Sequence, residues 1–190
     1  MASMEEIETA IRTAREGGTD DIIILKCTSQ YPANASDANL ATIADMSERF
    51  GVQVGLSDHT LGIGVGIAAI GYGATVIEKH FTIDRSEGGV DSEFSMEPHE
   101  MKSLKEETSR AWHARGKVHY DGTANEKKSK QFRQSIYPSR NIAEGEIFSA
   151  DNLKICRPGL SLPPARWDDL IGKPAKRSIK MGERLNMDDI

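Results

Sequence analysis

The sequence predicts an α/β architecture followed by a smaller, mostly β module. Three observations predict it. Short β-branched runs alternate with helical periodicities through residue 115, a polar stretch follows, and the remainder contains an internal repeat of Gly-centred turns. A chain of 190 residues has room for one medium domain or two small ones.

Ser3-Met-Glu-Glu6 has the pattern of a capping box, in which Glu6 reaches back to the Ser3 amide. Ile7, Ala10, Ile11 and Ala14 form one helical face behind it, and Gly17-Gly18 ends the helix. Ile22 to Leu25 is a short β-branched run, the pattern of a strand buried on both sides. Asp37 to Phe50 is helical, with Leu40, Ile43, Ser47 and Phe50 in phase and Gly51 as the stop. Val52 to Leu56 is the second strand, and Ile63, Ile67 and Ile70 mark the helix before the third, Ala74 to Ile77. A last helix runs from Pro98 to Arg115, with Met101, Leu104 and Ala111 inward. The order α-β-α-β-α-β-α implies parallel strands with crossovers. Three such strands leave edges exposed, an aggregation liability. Residues 1–115 therefore read as the back portion of a larger barrel.

Residues 116–134 are polar, with Lys127-Lys-Ser-Lys130, and read as a linker. In the module at 135–190, Asn141 to Leu153 aligns without gaps with Ser178 to Ile190. Ile, Gly, Glu and Asp recur in register. Each copy reads as strand, Gly turn, short strand, and a capped turn beginning at Asp151 or Asp188. Between the copies, Arg157-Pro-Gly159 and Leu162-Pro-Pro164 make an irregular loop suited to presenting a side chain.

An apolar share of 38% and a charged share of 28% describe a soluble, globular chain. The net charge of −5, with no basic stripe, argues against nucleic acid as a partner. No apolar run approaches a membrane span and no signal peptide opens the chain, so no membrane partner is expected. Cys27 and Cys156, far apart, suggest reduced thiols and a cytoplasmic location.

The chemistry gathers at strand ends. His59 follows the second strand in Gly55-Leu-Ser-Asp-His59-Thr60, and His80 follows the third in Val76-Ile-Glu-Lys-His80-Phe81. In parallel α/β folds, ligands sit beyond the carboxyl ends of the strands. Neighbouring strands stand about 5 Å apart, so two imidazoles placed there can converge on one divalent cation. Each is also, more blandly, a polar residue capping a strand end. Asp58 and Glu78 are placed to orient the rings or to bind the metal themselves. Thr28, Ser29, Ser57 and Thr60 can hydrogen-bond phosphate oxygens, with Lys26 or Lys79 supplying charge, although strand-end capping accounts for any single one of them. Asp91, after Gly88-Gly-Val, can accept hydrogen bonds from sugar hydroxyls or simply build a turn. The spacing in Gly62-Ile-Gly-Val-Gly66 is not that of a dinucleotide fingerprint. His99, His113 and His119 have no patterned partners and read as surface residues.

Four ordered motifs go further. Lys26-Cys-Thr-Ser-Gln-Tyr-Pro32, Gly55-Leu-Ser-Asp-His-Thr-Leu-Gly62, Val76-Ile-Glu-Lys-His-Phe81 and Gly89-Val-Asp-Ser92, with Ser95-Met-Glu-Pro98 behind them, resemble the sialic acid synthase family. The Gly-Val-Asp-Ser form and Lys26 look most like its pseudaminic acid synthases. Residues 135–190 resemble the antifreeze-like (SAF) domain that follows the barrel in that family. The resemblance implies the last three strands of a (β/α)8 TIM barrel that condenses phosphoenolpyruvate with an N-acylated amino sugar. It implies a divalent metal, Mn2+ before Mg2+ or Co2+, held by His59 and His80, with Glu78 beside them as a catalytic group. Phosphoenolpyruvate contacts carry over to Ser57 and Ser29, where relatives with other sugars have Asn, and sugar contacts to Tyr31, Asp91 and Arg157. Arg157 belongs to the SAF region, which in the family reaches into the partner subunit's barrel, so a domain-swapped homodimer is implied for the full-length parent. Family members begin with about half a barrel more, which carries the phosphate clamp. A fragment or truncated reading frame, inactive alone, is therefore expected. A neuraminate or legionaminate synthase fragment, or a non-catalytic carbohydrate-binding or interaction fragment, are the alternatives. Ice binding by the SAF module is disfavoured by Arg157 and the charged Asp151, Lys154 and Asp188.

Overall fold

The computed structural model describes residues 1–190, which divide into two compact units, Met1–Lys117 and Val118–Ile190. The first unit opens with helix α1 (Met4–Glu16), and its capping box forms as the sequence predicts: Glu6 N–H donates to Ser3 Oγ and Ser3 N–H to Glu6 Oε2. Strand β1 (Ile23–Cys27), helix α2 (Ala41–Phe50), strand β2 (Gln53–Ser57), helix α3 (Gly64–Gly71), strand β3 (Ile77–Glu78) and helix α4 (Pro98–Ala114) follow. The strands form one parallel sheet in the order β1-β2-β3.

Three elements depart from the sequence reading, and the third strand is one: it pairs only over Ile77–Glu78 rather than from Ala74 to Ile77. Helix α2 begins four residues later than Asp37, because a 3₁₀ turn (Ala35–Asp37) and Asn39, at φ 45°, interrupt the chain first. Strand β1 is only partly buried, with Ile23 exposed and Ile24 and Leu25 half-covered. As an edge strand it has a neighbour on one side alone. The central β2 is buried from Val54 to Ser57, and the continuous apolar pattern applies to it.

Ile43, Met46, Val54, Leu56, Ala69, Ile70 and Ala74 form the core of this unit, with Ala111 of α4 packed against it. Ile43 is fully buried, so removing it from water contributes roughly 2 kcal/mol. Gly55 permits the tight β2 packing. A Cβ there would stand 2.6 Å from both the Leu25 side chain and the Val76 carbonyl oxygen. Gly51 closes α2 in the left-handed conformation at φ 61°.

Within the polar stretch 116–134, helix α5 (Ala124–Ser129) forms behind a Thr123–Glu126 capping box in the second unit. Strands β4 (Ser135–Pro138) and β5 (Leu153–Cys156) pair antiparallel, and a short helix α6 (Trp167–Leu170) precedes the second repeat. The repeat is realised as isolated bridges rather than full strands, Ile142 with Ile179 and Ile147 with Pro174. Its side-chain roles are duplicated. Glu146 accepts the Ala143 amide and pairs with Arg140, as Glu183 accepts the Lys180 amide and pairs with Arg177. Asn152 caps the Ser149 amide as Asp189 caps that of Asn186. The turns start at Ser149 and Asn186, not at Asp151 and Asp188, whose amides donate to those two side chains. Ile136, Ile142, Phe148, Leu153, Leu170, Ala175, Ile179 and Leu185 make the core.

Candidate active site

The β1-β2-β3 register aligns Cys27, Ser57 and Glu78 as one row across the carboxyl end of the sheet. Continued by one residue it aligns Thr28, Asp58 and Lys79. Ser29, His59 and His80 come two residues after that row, beyond the last ladder pairs, and the chain next pairs Ala33 with Thr60. Alternate rows face opposite sides of a sheet, and the contacts sort accordingly.

On the histidine side, the His59 and His80 ring centroids stand 5.2 Å apart. His59 Nδ1 lies 3.0 Å from the Thr28 carbonyl oxygen, which can only accept, so Nδ1 carries the proton and Nε2 keeps its lone pair. His80 Nδ1 lies 3.6 Å from Asp91 Oδ2. A carbonyl on one ring nitrogen, as on His59, is a usual way of preparing the other for a metal, while Asp91 stands beside His80 just outside hydrogen-bond distance. Asp91 reaches this position from a left-handed backbone at φ 66°, which Asp tolerates better than most residues. Ser57 donates its hydroxyl to Glu78 Oε1 at 2.7 Å, and Cys27 Sγ is 3.7 Å from Ser29 Oγ.

Tyr31 covers the pair, its ring centroid 4.3 Å from His59 and 5.7 Å from His80. Phe94 closes the other flank, 5.1 Å from His80 and 5.9 Å from Tyr31. Phe94 escaped the sequence reading; its place between Asp91 and the Ser95-Met-Glu-Pro98 motif is the signal that marks it. The Thr28 carbonyl has no side-chain signal at all. The structure thus brings together Tyr31, Ser57, Glu78, His59, His80 and Asp91, with Ser29 exposed at the rim.

On the opposite side, several proposed phosphate contacts are already committed. Lys79 Nζ donates to Asp58 Oδ2 at 2.9 Å and to the Thr60 carbonyl at 2.6 Å. The Thr60 hydroxyl donates to Asp58, and the Thr28 hydroxyl to the Asp37 carbonyl. Lys26 Nζ donates to the Thr28 hydroxyl at 2.8 Å. Lys79 and Thr60 are interior partners of Asp58, on the face of the sheet opposite the histidines.

Arg157 is exposed in the second unit, in a loop held at its base. The Pro158 carbonyl accepts from the Ser135 and Tyr137 hydroxyls at 3.0 Å each, and Gly159 N–H donates to the Gln131 carbonyl at 2.8 Å. His99, His113 and His119 are exposed, as expected. Glu97, His99 and Glu100 gather closely enough to hold a cation. Their carboxylates, however, cap α4 and pair with Arg85. No helix is long and apolar enough to cross a membrane.

Residues 1–120 match the model of the NeuB family, and residues 133–190 match that of the SAF domain. A pseudaminic acid synthase of Campylobacter jejuni is 38% identical over 189 residues, covering 100% of this chain and 55% of the relative. An N,N'-diacetyllegionaminic acid synthase of the same species is 37% identical, covering 97% and 56%. The crystal structure of an N-acetylneuraminic acid synthetase from Leptospira borgpetersenii aligns with a TM-score of 0.62 at 38% identity, over 70% of this chain and 46% of the other. The chain spans about half the length of the curated relatives it matches.

Proposed function

Because the chain belongs to the NeuB family and carries an SAF domain behind that region, we propose that it supplies the metal-binding and sugar-facing part of a pseudaminic acid synthase. The whole enzyme condenses phosphoenolpyruvate with an N-acylated 6-deoxy amino sugar to a nine-carbon 2-keto acid. The observation that carries this is the pairing of His59 and His80 beyond β2 and β3, their ring centroids 5.2 Å apart, with the Thr28 carbonyl on His59 Nδ1 and Tyr31 laid over both rings.

His59 and His80 would hold a divalent metal, Mn2+ first; two neighbouring imidazoles, the first with its Nδ1 already held by a carbonyl, fit such an ion. Bound there, the ion supplies Lewis acidity toward the aldehyde oxygen of the open-chain sugar. Tyr31 lies over the rings as one wall of the sugar site, and the Asp91 carboxylate, exposed beside His80, accepts sugar hydroxyls. Ser57 and Ser29 face phosphoenolpyruvate. Carbon 3 of phosphoenolpyruvate attacks the aldehyde carbon, whose oxygen takes a proton. Water adds at carbon 2, and phosphate leaves with cleavage of the C–O bond. Glu78, already the acceptor of the Ser57 hydroxyl, is the carboxylate assigned to take the proton of that water.

The remaining assignments follow from the same proposal. The three strands are the back portion of a (β/α)8 barrel whose front portion carries the phosphate clamp. Arg157 closes the sugar site of a partner protomer in a homodimer. A cytoplasmic location belongs to the same proposal.

The test is release of phosphate from phosphoenolpyruvate with Mn2+ and 2,4-diacetamido-2,4,6-trideoxy-altrose. Two proteins are compared: this chain alone, and a chimera in which it replaces the matching part of the C. jejuni pseudaminic acid synthase. Turnover by the chimera and none by the chain is expected. A folded chimera without turnover overturns the synthase assignment, and turnover by the chain alone overturns the need for a front portion.

A further inference from the structure

The Asp58–Lys79 pair takes part in none of the steps above. The two side chains are sealed from solvent, 1% and 2% exposed. Their hydrogen bonding is complete: Asp58 Oδ1 accepts the Thr60 amide at 2.9 Å and its hydroxyl at 2.7 Å, while Lys79 serves Asp58 Oδ2 and the Thr60 carbonyl. A buried pair of this kind adds little net stability over apolar side chains of the same volume, because the cost of stripping water from two charges offsets their attraction. Stability alone therefore does not account for it.

Its placement does. Asp58 immediately precedes His59, and Lys79 immediately precedes His80. The pair lies one residue before the two histidines and faces the other way, toward α3. A Cβ on Gly66 of that helix would stand 3.7 Å from Asp58 Oδ2. Thr60, which completes the network, also bridges to Ala33, whose amide donates to the His59 carbonyl at 2.9 Å. The loop that carries Tyr31 is thereby tied to the same anchor.

We propose that Asp58 and Lys79 are positioning residues: their buried ion pair fixes the spacing of the loops after β2 and β3, and so holds His59 and His80 facing each other. The proposal rests on the reading of the two histidines as metal ligands, and its test separates the two.

The first readout is the ¹⁵N NMR signature of His59 in the chain without metal, at about pH 8.5, well above the ordinary imidazole pKa of about 6.5. The native chain is expected to hold His59 in the single Nδ1–H tautomer dictated by the Thr28 carbonyl. Asp58→Asn and Lys79→Met are expected to give mixed tautomers and to weaken Mn2+ binding by about tenfold or more. Ile43→Val, a change in the core away from the site, should lower the melting temperature while leaving tautomer and affinity unchanged; a merely structural role for the pair predicts no such difference. Should the single variants fail to fold, Asp58→Leu with Lys79→Met removes both charges and carries the same expectation. A folded variant that keeps the locked tautomer overturns the proposal. A lost lock in a chain whose native form binds no Mn2+ supports the positioning role and overturns the ligand assignment.

Discussion

Ile142 and Ile179, which hold the same position in the two copies of the repeat, exchange both backbone hydrogen bonds with each other at 2.8 Å. A local twofold axis therefore passes between them. The duplication visible in the sequence is a packing device, since each copy supplies the other's partner in this bridge.

Equivalence has an energetic consequence. Both side chains are buried, at 1% and 2% exposure. Ile142→Ala and Ile179→Ala should each destabilise the second unit by about 2–5 kcal/mol, and by similar amounts. Urea unfolding of the two variants checks this. A large cost for one and none for the other would contradict the paired arrangement.

Glu146 gives a pH dependence. The Ala143 amide, then Arg140 and Asn152, hold its carboxyl down at about 2, against 4.5 for an ordinary Glu. The folded form thus favours the carboxylate, and the stability it contributes is fully present above pH 4.5. That contribution is lost as the pH falls from there through about 2. Glu183, held down by the Lys180 amide and Arg177, acts in the same direction. Thermal melts from pH 6 to about 2 should show a falling midpoint for the second unit, flattened in Glu146→Gln. An unchanged slope in that variant would contradict the assignment.

The base of the Arg157 loop is sterically closed. A Cβ on Gly159 would meet the Lys130 carbonyl oxygen at 2.6 Å and Arg133 Cβ at 3.1 Å. Gly159→Ala should therefore cost about 1–3 kcal/mol by overpacking. Thermal unfolding measures it, and a neutral result would show that the loop is not seated there.

Gly55 plays the same part for the sheet. Gly55→Ala should push Val76 away from β2 and disturb the register that sets His80 beside His59, at a cost of about 1–3 kcal/mol or more. Loss of protection of the Leu56 amide, bonded to the Val76 carbonyl at 2.9 Å, is the readout in hydrogen exchange. Full protection would contradict it.

Much of this was legible in the sequence because periodicity and capping are local. The Ser3–Glu6 box, the Gly51 stop and the two strand-end histidines each announce themselves within a few residues. What the sequence hid depends on partners distant along the chain. Ile22 to Leu25 reads as a strand buried on both faces, but apolar pattern alone does not say which elements cover it, and within these residues β1 has only β2 beside it. Lys79 reads as a phosphate cation as readily as a buried partner, and only the β2–β3 register brings it to Asp58. The Thr28 carbonyl that sets the His59 tautomer is backbone, for which any residue type serves.

The central claim is that His59 and His80 form one metal site. Titrating Mn2+ into the metal-free chain by calorimetry tests it most directly, with His59→Ala and His80→Ala alongside. One site per chain, lost in either variant, is the predicted result. Binding that survives both substitutions, as a cation held by Glu97, His99 and Glu100 would, contradicts the account.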